Sequence, residues 1–508
     1  MRLKDIISAL KPGAQCVNWI DATDEIEITR VAYDSRAIER GNKGVIFAAI
    51  PGEHEDGSSF AKDAVSRGAV AVLARAAIEG LKVPQVIAED VRGALAKTAS
   101  LVYGEPSKKL RLAGVTGTNG KTTITYLLES IFNESGRASG VMGTISYRYA
   151  GKSMEAPHTT PEAPDLQSFL KEMTEHGVTH VVMEVSSHAL YQKRAHGCKF
   201  DVAVFTNLTH EHLDYHKTMD EYYRCKAMLF KELLKDGAKA VINTDDAWGR
   251  RLNQEVAKPL SYGIRSNAEI HPKTFSLDGS GIKAVVATPA GDVSVNSLLA
   301  GEYNLQNIMA AIGAAVSLGC TPDEISKGIT ALKRVPGRLD KVECGAVGKN
   351  FIAFIDYAHT ADALSRALGA LRAIAKGRVI TVFGCGGNRD RAKRPMMGEV
   401  SARLSDITII TSDNPRDEDP LEIIKEIEAG ITGGERFEPW SSAAVLNGYT
   451  VIADRAEAVK KAVSLARDKD IILVAGKGHE DYQIVKGHKA HFSDFEALSH
   501  AINELSKE

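Results

Sequence analysis

Residues 110–123, LRLAGVTGTNGKTT, limit the possible folds of this chain more than any other segment. The apolar run from Leu110 to Val115 reads as a buried parallel strand, and helical spacing resumes at Leu127, Leu128 and Ile131 before Gly136 can end the helix. Between them lies a glycine-rich turn, Gly117-Thr118-Asn119-Gly120-Lys121-Thr122-Thr123. Gly117 and Gly120 let backbone N–H groups turn inward on an anion, and the helix N-terminus adds its positive dipole end. Lys121 is spaced to reach terminal phosphates and Thr122 to ligate Mg²⁺. The usual pattern has one more glycine, five residues before Gly120, where this chain has Val115. The loop is therefore the shorter G-x-x-G-K-T form, and it predicts a nucleotide-binding α/β domain.

At 508 residues the chain exceeds one ordinary core, and typical domain size suggests about three domains. Lys and Arg number 63 against 65 Asp and Glu, a balance that argues against a nucleic-acid partner and leaves room for a local basic pocket. The first residues, MRLKDIISALKPG, carry charges inside the would-be apolar stretch, and no segment reaches the ~20 apolar residues of a membrane span. A cytoplasmic protein without a membrane partner is expected. Cys16, Cys198, Cys225, Cys320, Cys344 and Cys385 are scattered without C-x-x-C pairs, so reduced thiols are expected and not a zinc or disulfide framework.

Short apolar runs at 44–50 and 69–73 alternate with helical stretches, which predicts a small N-terminal α/β domain over 1–107. Strand-like runs at 178–185, 201–206 and 238–243 follow the glycine loop and predict a central parallel sheet flanked by helices over 108–336. The pattern restarts with runs at 351–356, 378–384, 407–411 and 471–475, which predicts a C-terminal Rossmann-like domain over 337–508. Its G-C-G-G at 384–387 is not G-x-G-x-x-G, so a dinucleotide is not expected there.

Glu184 ends the predicted strand 178–185, at the sheet edge where a nucleotide site belongs, and suits Mg²⁺ as a hard oxygen ligand. Ser186, Ser187 and His188 follow without a G-x-S-x-G elbow, so they suit substrate holding better than hydrolysis. His210, Glu211, His212, Asp214 and His216 crowd one loop, but not with H-E-x-x-H spacing. A metal or phosphate role for at least one histidine fits better than zinc. Lys226 sits one turn from Tyr222 and Phe230 on an amphipathic helix, where spacing alone predicts an exposed charge.

Several motifs occur in order along the chain: G-T-N-G-K-T-T, M-E-V-S-S-H-A-L-x-Q-x-R, T-N-L-x-x-E-H-L-D, the helix around Lys226, G-x-x-N-x-x-N-x-x-A-A at 301–311, and V-P-G-R at 335–338. With Asp34-Ser35-Arg36 and the 52–57 loop, the chain resembles the Mur ligase family over essentially its whole length, and within it the members that add the third amino acid to the cell-wall precursor. The resemblance implies an ATP-dependent amide ligase acting through an acyl phosphate. It also implies a monomer whose partners are ATP, UDP-N-acetylmuramoyl-L-alanyl-D-glutamate and meso-2,6-diaminopimelate. Gly117, Thr118, Asn119, Gly120, Lys121, Thr122 and Thr123, with Asn304, Asn307, Arg338 and Asp356, are then the ATP set. Lys121, Glu184, His212 and Lys226 are the catalytic set. Thr122, Glu184, His212 and Lys226 are the Mg²⁺ set, with Lys226 converted by CO₂ to a carbamate. Ser35, Thr159, Thr160, Ser186, Gln192 and Arg194 are implied to hold the UDP-muramoyl peptide. Arg389, Asp413, Asn414, Pro415, Arg416, Gly476 and Glu480 are implied to hold diaminopimelate. An arginine at 416 suits a distal carboxylate and would repel the ammonium of lysine. In the 52–57 loop, Glu53 and His54 depart from the family pattern at expected uridine contacts, and Glu211 stands where relatives usually have Asp.

Two other readings compete. A folylpolyglutamate synthetase shares the loop and the ligase chemistry but gives no reason for Asp34-Ser35-Arg36 or for D-N-P-R at 413–416. A nucleotide switch lacks an N-K-x-D guanine-reading motif here and needs no acid, histidine and lysine set.

Overall fold

The computed structural model describes residues 1–508 except 18–24, 40, 42, 53–54, 344–349, 440–445 and 506–508, and the side chain of residue 214. The departures at Glu53 and His54, and Cys344, lie outside the described residues. Packing divides the chain into two compact units, Met1–Ile270 with Ala310–Gly328, and His271–Met309 with Ile329–Glu508.

The first unit contains two sheets. Strands Ala14–Val17, Gln85–Ala88, Ala69–Ala74, Val45–Ala48 and Arg30–Ala32 form a five-stranded sheet in that spatial order, parallel except for the first. The second sheet has eight strands, ordered Leu260–Tyr262, Leu234–Asn243, Phe200–Phe205, Arg111–Thr116, His180–Glu184, Ser139–Met142, Ser146–Tyr149 and Lys152–Glu155. Its first six strands run parallel. Leu112, Val115, Val181, Val182, Val202 and Val204 are all buried, because a parallel strand covered on both faces exposes neither side to water.

The second unit is built on a six-stranded sheet, ordered Asp340–Val342, Ile352–Asp356, Ile471–Ala475, Val379–Phe383, Ile407–Ile410 and Gly448–Val451. Only the first of these is antiparallel to its neighbour. Alternation along Ile471–Ala475 feeds two cores. Ile472 and Val474 pack with Ala458, Val459, Leu498 and Ile502, whereas Ile471, Leu473 and Ala475 pack with Leu364, Leu368, Met397 and Ile424. Period-2 alternation of an entirely apolar strand thus holds helices on both faces.

The α/β expectation and the expected strands are present, along with strands that the sequence did not mark. Ser146–Tyr149 and Lys152–Glu155 extend the central sheet as an antiparallel ribbon, and His271–Asp278, Gly281–Ala287 and Val293–Ser297 make a separate antiparallel sheet. Residues in Val293–Ser297 alternate buried and exposed. A one-sided strand of this kind carries no continuous apolar run to mark it.

Candidate active site

Strand Arg111–Thr116 lies in the middle of the eight-stranded sheet, with Val115 opposite Glu184 and Thr116 opposite Phe205. The three strands run parallel, so the glycine loop, Glu184 and Thr206 emerge together at their carboxyl ends, where open α/β sheets bind ligands. Gly117 has φ +143°, and a Cβ there would stand 1.8 Å from Thr206 Oγ1. The T-N-L segment fastens the loop in place. Thr206 Oγ1 donates to the Asn119 carbonyl at 2.6 Å, Thr118 N donates to the Asn207 carbonyl at 2.8 Å, and Asn119 N donates to Asn207 Oδ1 at 3.0 Å. Helix Lys121–Glu134 then starts at Gly120, whose φ of 94° suits glycine.

Glu184 is 1 % exposed, and the groups bonded to its carboxylate are neutral. Thr122 Oγ1 donates at 3.0 Å, Thr144 N at 2.9 Å and Thr144 Oγ1 at 3.0 Å. A buried anion beside a hydroxyl at a helix start is a hard oxygen donor set that fits Mg²⁺. Thr144 belongs to this set, and sequence reasoning missed it because it lies in an ordinary T-I-S stretch after Gly143.

Lys226 corrects the reading from helical spacing. It is 1 % exposed, and its ammonium donates to the Gly117 carbonyl at 2.9 Å and lies 4.6 Å from the Tyr222 ring centre. Lys121 donates to the same carbonyl at 2.9 Å and to the Thr118 carbonyl at 2.8 Å. Burial, and then the charge of Lys121, hold Lys226 well below the usual lysine range, which favours a neutral, nucleophilic amine. The helix carrying Lys226 packs its lysine face inward against the loop, so spacing relative to Tyr222 and Phe230 marked the buried side.

Among the three crowded histidines, His216 is buried. Its Nε2 pairs with Ser187 Oγ at 2.9 Å, and its ring stacks on Tyr222, whose hydroxyl is 3.2 Å from Thr118 Oγ1. His212 has a left-handed backbone (φ 57°) and sits edge-on to His188 with ring centres 5.0 Å apart. Among the described residues, no three His, Cys, Asp or Glu side chains are grouped to hold a metal ion.

Five of the residues expected to hold the UDP-linked substrate form one network with Glu184. Thr144 Oγ1 meets Thr159 Oγ1 at 3.1 Å, Thr160 Oγ1 donates to the Glu184 carbonyl at 2.8 Å, and Ser186 N donates to Thr160 Oγ1 at 3.1 Å. Arg194 donates to the Thr160 carbonyl at 3.1 Å and to Gln192 Oε1 at 2.7 Å, and pairs with Glu162 at 2.9 Å. Ser35 sits apart from this network, buried beside Asp63 in the first sheet's loop.

In the second unit, the carboxyl ends of four sheet strands deliver Asp356, the Gly384 loop, Asp413 and Gly476. Asp356 accepts from Leu339 N at 2.6 Å and Ala358 N at 2.9 Å, and the Arg338 guanidinium lies 4.9 Å from the Tyr357 ring centre. Asn307 donates to Asn304 Oδ1 at 3.0 Å, and Asn304 donates to the Ala300 carbonyl at 2.8 Å. The residues expected to hold the amino acid converge. Asn414 Nδ2 donates to Glu480 at 2.9 Å, and a Cβ on Gly476 would meet Asp413 Oδ2 at 3.1 Å. A Cβ on Gly386 would meet Arg416 Nη1 at 2.9 Å and Arg389 Cγ at 3.9 Å, and one on Gly387 would meet the Pro415 carbonyl at 2.0 Å. Fully buried Lys477 lies 3.3 Å from Asn414 Oδ1 and Glu480 and 3.5 Å from Asp413. It lies in the G-K-G-H-E stretch 476–480, between Gly476 and Glu480, which the resemblance implies for this pocket.

Family models described as Mur ligase family, catalytic domain, Mur ligase middle domain, and Mur ligase, glutamate ligase domain match residues 27–103, 115–315 and 337–478. The chain is 43 % identical over 525 residues to UDP-N-acetylmuramoyl-L-alanyl-D-glutamate--2,6-diaminopimelate ligase of Geobacter metallireducens, covering 100 % of this chain and 99 % of that one. It is 44 % identical over 512 residues to the protein of the same name from Geobacter sulfurreducens, covering 98 % and 97 %. A solved structure titled as that ligase superimposes with a TM-score of 0.69 at 33 % identity, covering 96 % of this chain and 97 % of the other. Matched by three such family models along its length and by relatives more than 40 % identical from end to end, this chain belongs to the Mur ligase family.

Proposed function

We propose that the chain is the ATP-dependent ligase that joins meso-diaminopimelate to the D-glutamate side-chain carboxylate of UDP-N-acetylmuramoyl-L-alanyl-D-glutamate, in cytoplasmic synthesis of the peptidoglycan precursor. What carries the reading is the end-to-end match at 43 % identity to a ligase of that name. The work is assigned to three modules, 1–107 for the UDP substrate, 108–336 for ATP and 337–508 for the incoming amino acid. Among the described residues, no helix is long and apolar enough to cross a membrane. A monomer is the proposed state.

A carboxylate is a poor electrophile, so the D-glutamate side chain must first take the γ-phosphoryl group of ATP. The diaminopimelate amine then attacks the acyl carbon, the C–O bond to phosphate breaks, and the amine proton leaves to solvent or a base. The amides of Gly117–Thr123 and the Lys121 ammonium are assigned to the triphosphate, where fixed positive charge favours the transferring group. Thr159, Thr160, Ser186, Gln192 and Arg194 are assigned to orient the UDP-linked peptide, and Ser35 to its nucleotide end. Asn304, Asn307, Arg338 and Asp356 complete the ATP set. Bound Mg²⁺ would neutralise phosphate charge, with Thr122, Glu184 and His212 as its protein ligands. The neutral amine favoured at Lys226 is the form that adds CO₂, with loss of one proton, to give a carbamate. That product puts an anion suited to a metal ion where the neutral amine stood.

Arg416, with Arg389, Asp413, Asn414, Pro415, Gly476 and Glu480, is assigned to the amino acid, and a guanidinium selects the distal carboxylate that lysine lacks. Steady-state assays with meso-diaminopimelate and L-lysine test this. Arg416→Ala is expected to lower kcat/KM for diaminopimelate roughly ten- to hundredfold, the worth of a charged hydrogen-bonded contact. A wild type that prefers lysine would overturn the assignment.

A further inference from the structure

Strands Tyr482–Val485 and His488–His491 form a hairpin that stands as its own two-stranded sheet. Lys486 and Gly487 close it with φ of 48° and 77°, both left-handed as a two-residue hairpin turn requires. The first strand grips the D-N-P-R segment residue by residue. Gln483 Nε2 donates to the Asp413 carbonyl at 2.6 Å, and Ile484 N donates to Asn414 Oδ1 at 3.0 Å. Arg416 N donates to the Ile484 carbonyl at 3.0 Å, and Lys486 N donates to the Arg416 carbonyl at 2.6 Å. Both backbone polar groups of Arg416 are thereby taken by the hairpin, and Arg416 itself has φ 52°, a conformation rare for a residue with a Cβ. From that backbone its Nη1 reaches the Gly387 carbonyl at 2.8 Å, across the Gly384–Arg389 loop.

These contacts divide the labour in the amino-acid pocket. Arg416 supplies the charge that chooses a carboxylate, but the direction of its guanidinium follows from a backbone conformation that nothing in Pro415-Arg416 favours by itself. A left-handed Arg416 requires an external template, and the hairpin occupies the two backbone groups that define it. Gln483 extends the grip to Asp413, at the other end of the segment.

We propose that the 482–491 hairpin is the specificity template of the ligase, with Gln483 as a positioning residue that sets the geometry of Asp413 and Arg416 without touching the amino acid. The inference rests on the diaminopimelate reading above. Three variants test it: Gln483→Ala, Gln483→Met, which keeps length without the donor, and Gly487→Val. Gly487 has open space around its Cβ position, so a substitution there acts only through strain in the turn. His488→Ala, on the exposed outer strand, serves as the control.

Each of the three variants is expected to raise KM for meso-diaminopimelate roughly three- to tenfold, the worth of one hydrogen bond, and to lower its preference over L-lysine by a similar factor. KM for ATP and for the UDP-linked substrate should stay within about twofold, and His488→Ala should match the wild type, since exposed substitutions away from such contacts have small effects. Unchanged diaminopimelate KM and preference in all three variants would overturn the proposal. So would a uniform loss in all three substrates, which marks a merely structural role. A wild type that turns over no diaminopimelate overturns the underlying reading, and the template proposal with it, and is distinguished by its failure before any variant is compared.

Discussion

Lys226 shows how far one side chain's role depends on its surroundings. An ammonium buried beside a second lysine on a shared carbonyl is costly to keep charged, so the site favours the neutral amine that carbamate formation needs. Lys226→Ala is expected to lower turnover roughly 10²- to 10³-fold, the usual loss when one preorganised charge is removed, with partial recovery on adding formate or acetate. Steady-state kinetics with and without these anions checks this, and full activity in a protein whose mass shows only unmodified Lys226 would contradict it. His479 makes a pH prediction. Burial, then Arg338, push its imidazole down to about 4 from an ordinary 6.5. The folded state therefore prefers the neutral ring. That contribution is complete above pH 6.5 and is lost progressively as pH falls through about 4, amounting to roughly 3 kcal/mol at its limit. Thermal midpoints should drop across this window, and less steeply in His479→Gln. The Lys226 environment was illegible in the sequence because helical spacing reports which residues share a face and not whether that face meets a charged loop.

Helices and strands in the second unit depend on buried charge as well as on apolar packing. Arg455 begins helix Arg455–Leu465 and pairs with Asp494 at the start of Asp494–Leu505, at 2.7 and 2.8 Å with both side chains 0 % exposed. The same guanidinium donates to the Ala475 carbonyl at 2.8 Å, just before Gly476. Asp494→Ala is expected to destabilise the protein by about 3–5 kcal/mol, because it leaves a buried charge unpaired. Chemical denaturation checks this, and a loss within the range of an ordinary surface substitution would contradict it. At this scale the parallel strands that are apolar on both faces were legible, as at Ile471–Ala475, whereas short ones with polar or small residues, such as Ser139–Met142 and Gly448–Val451, were not. Antiparallel pieces such as Val293–Ser297 and the 482–491 hairpin were not legible either, because exposed positions interrupt the first and dominate the second, leaving no continuous apolar run. The candidate site was legible in two other ways. Glu184 was marked by its place at a strand end, where topology brings it to the edge that carries the Gly117 loop, and Asp413 by the family resemblance alone.

Across the whole molecule, the assigned chemistry draws on residues of both packing units, which share no single motif. The glycine loop alone is compatible with kinases, switches and motors. The additions that narrow it are Glu184 with its hydroxyl partners, the buried Lys226, and a D-N-P-R segment fixed by hairpin and glycine contacts. A ligase built this way should not release phosphate until a carboxylate acceptor is present, and should turn over only when an amine follows. The most direct test measures phosphate release from ATP with the UDP-linked dipeptide and meso-diaminopimelate supplied separately and together. Sustained release is expected only with both, matched mole for mole by the UDP-linked tripeptide. Sustained release without the dipeptide, or without formation of the tripeptide, would contradict the account.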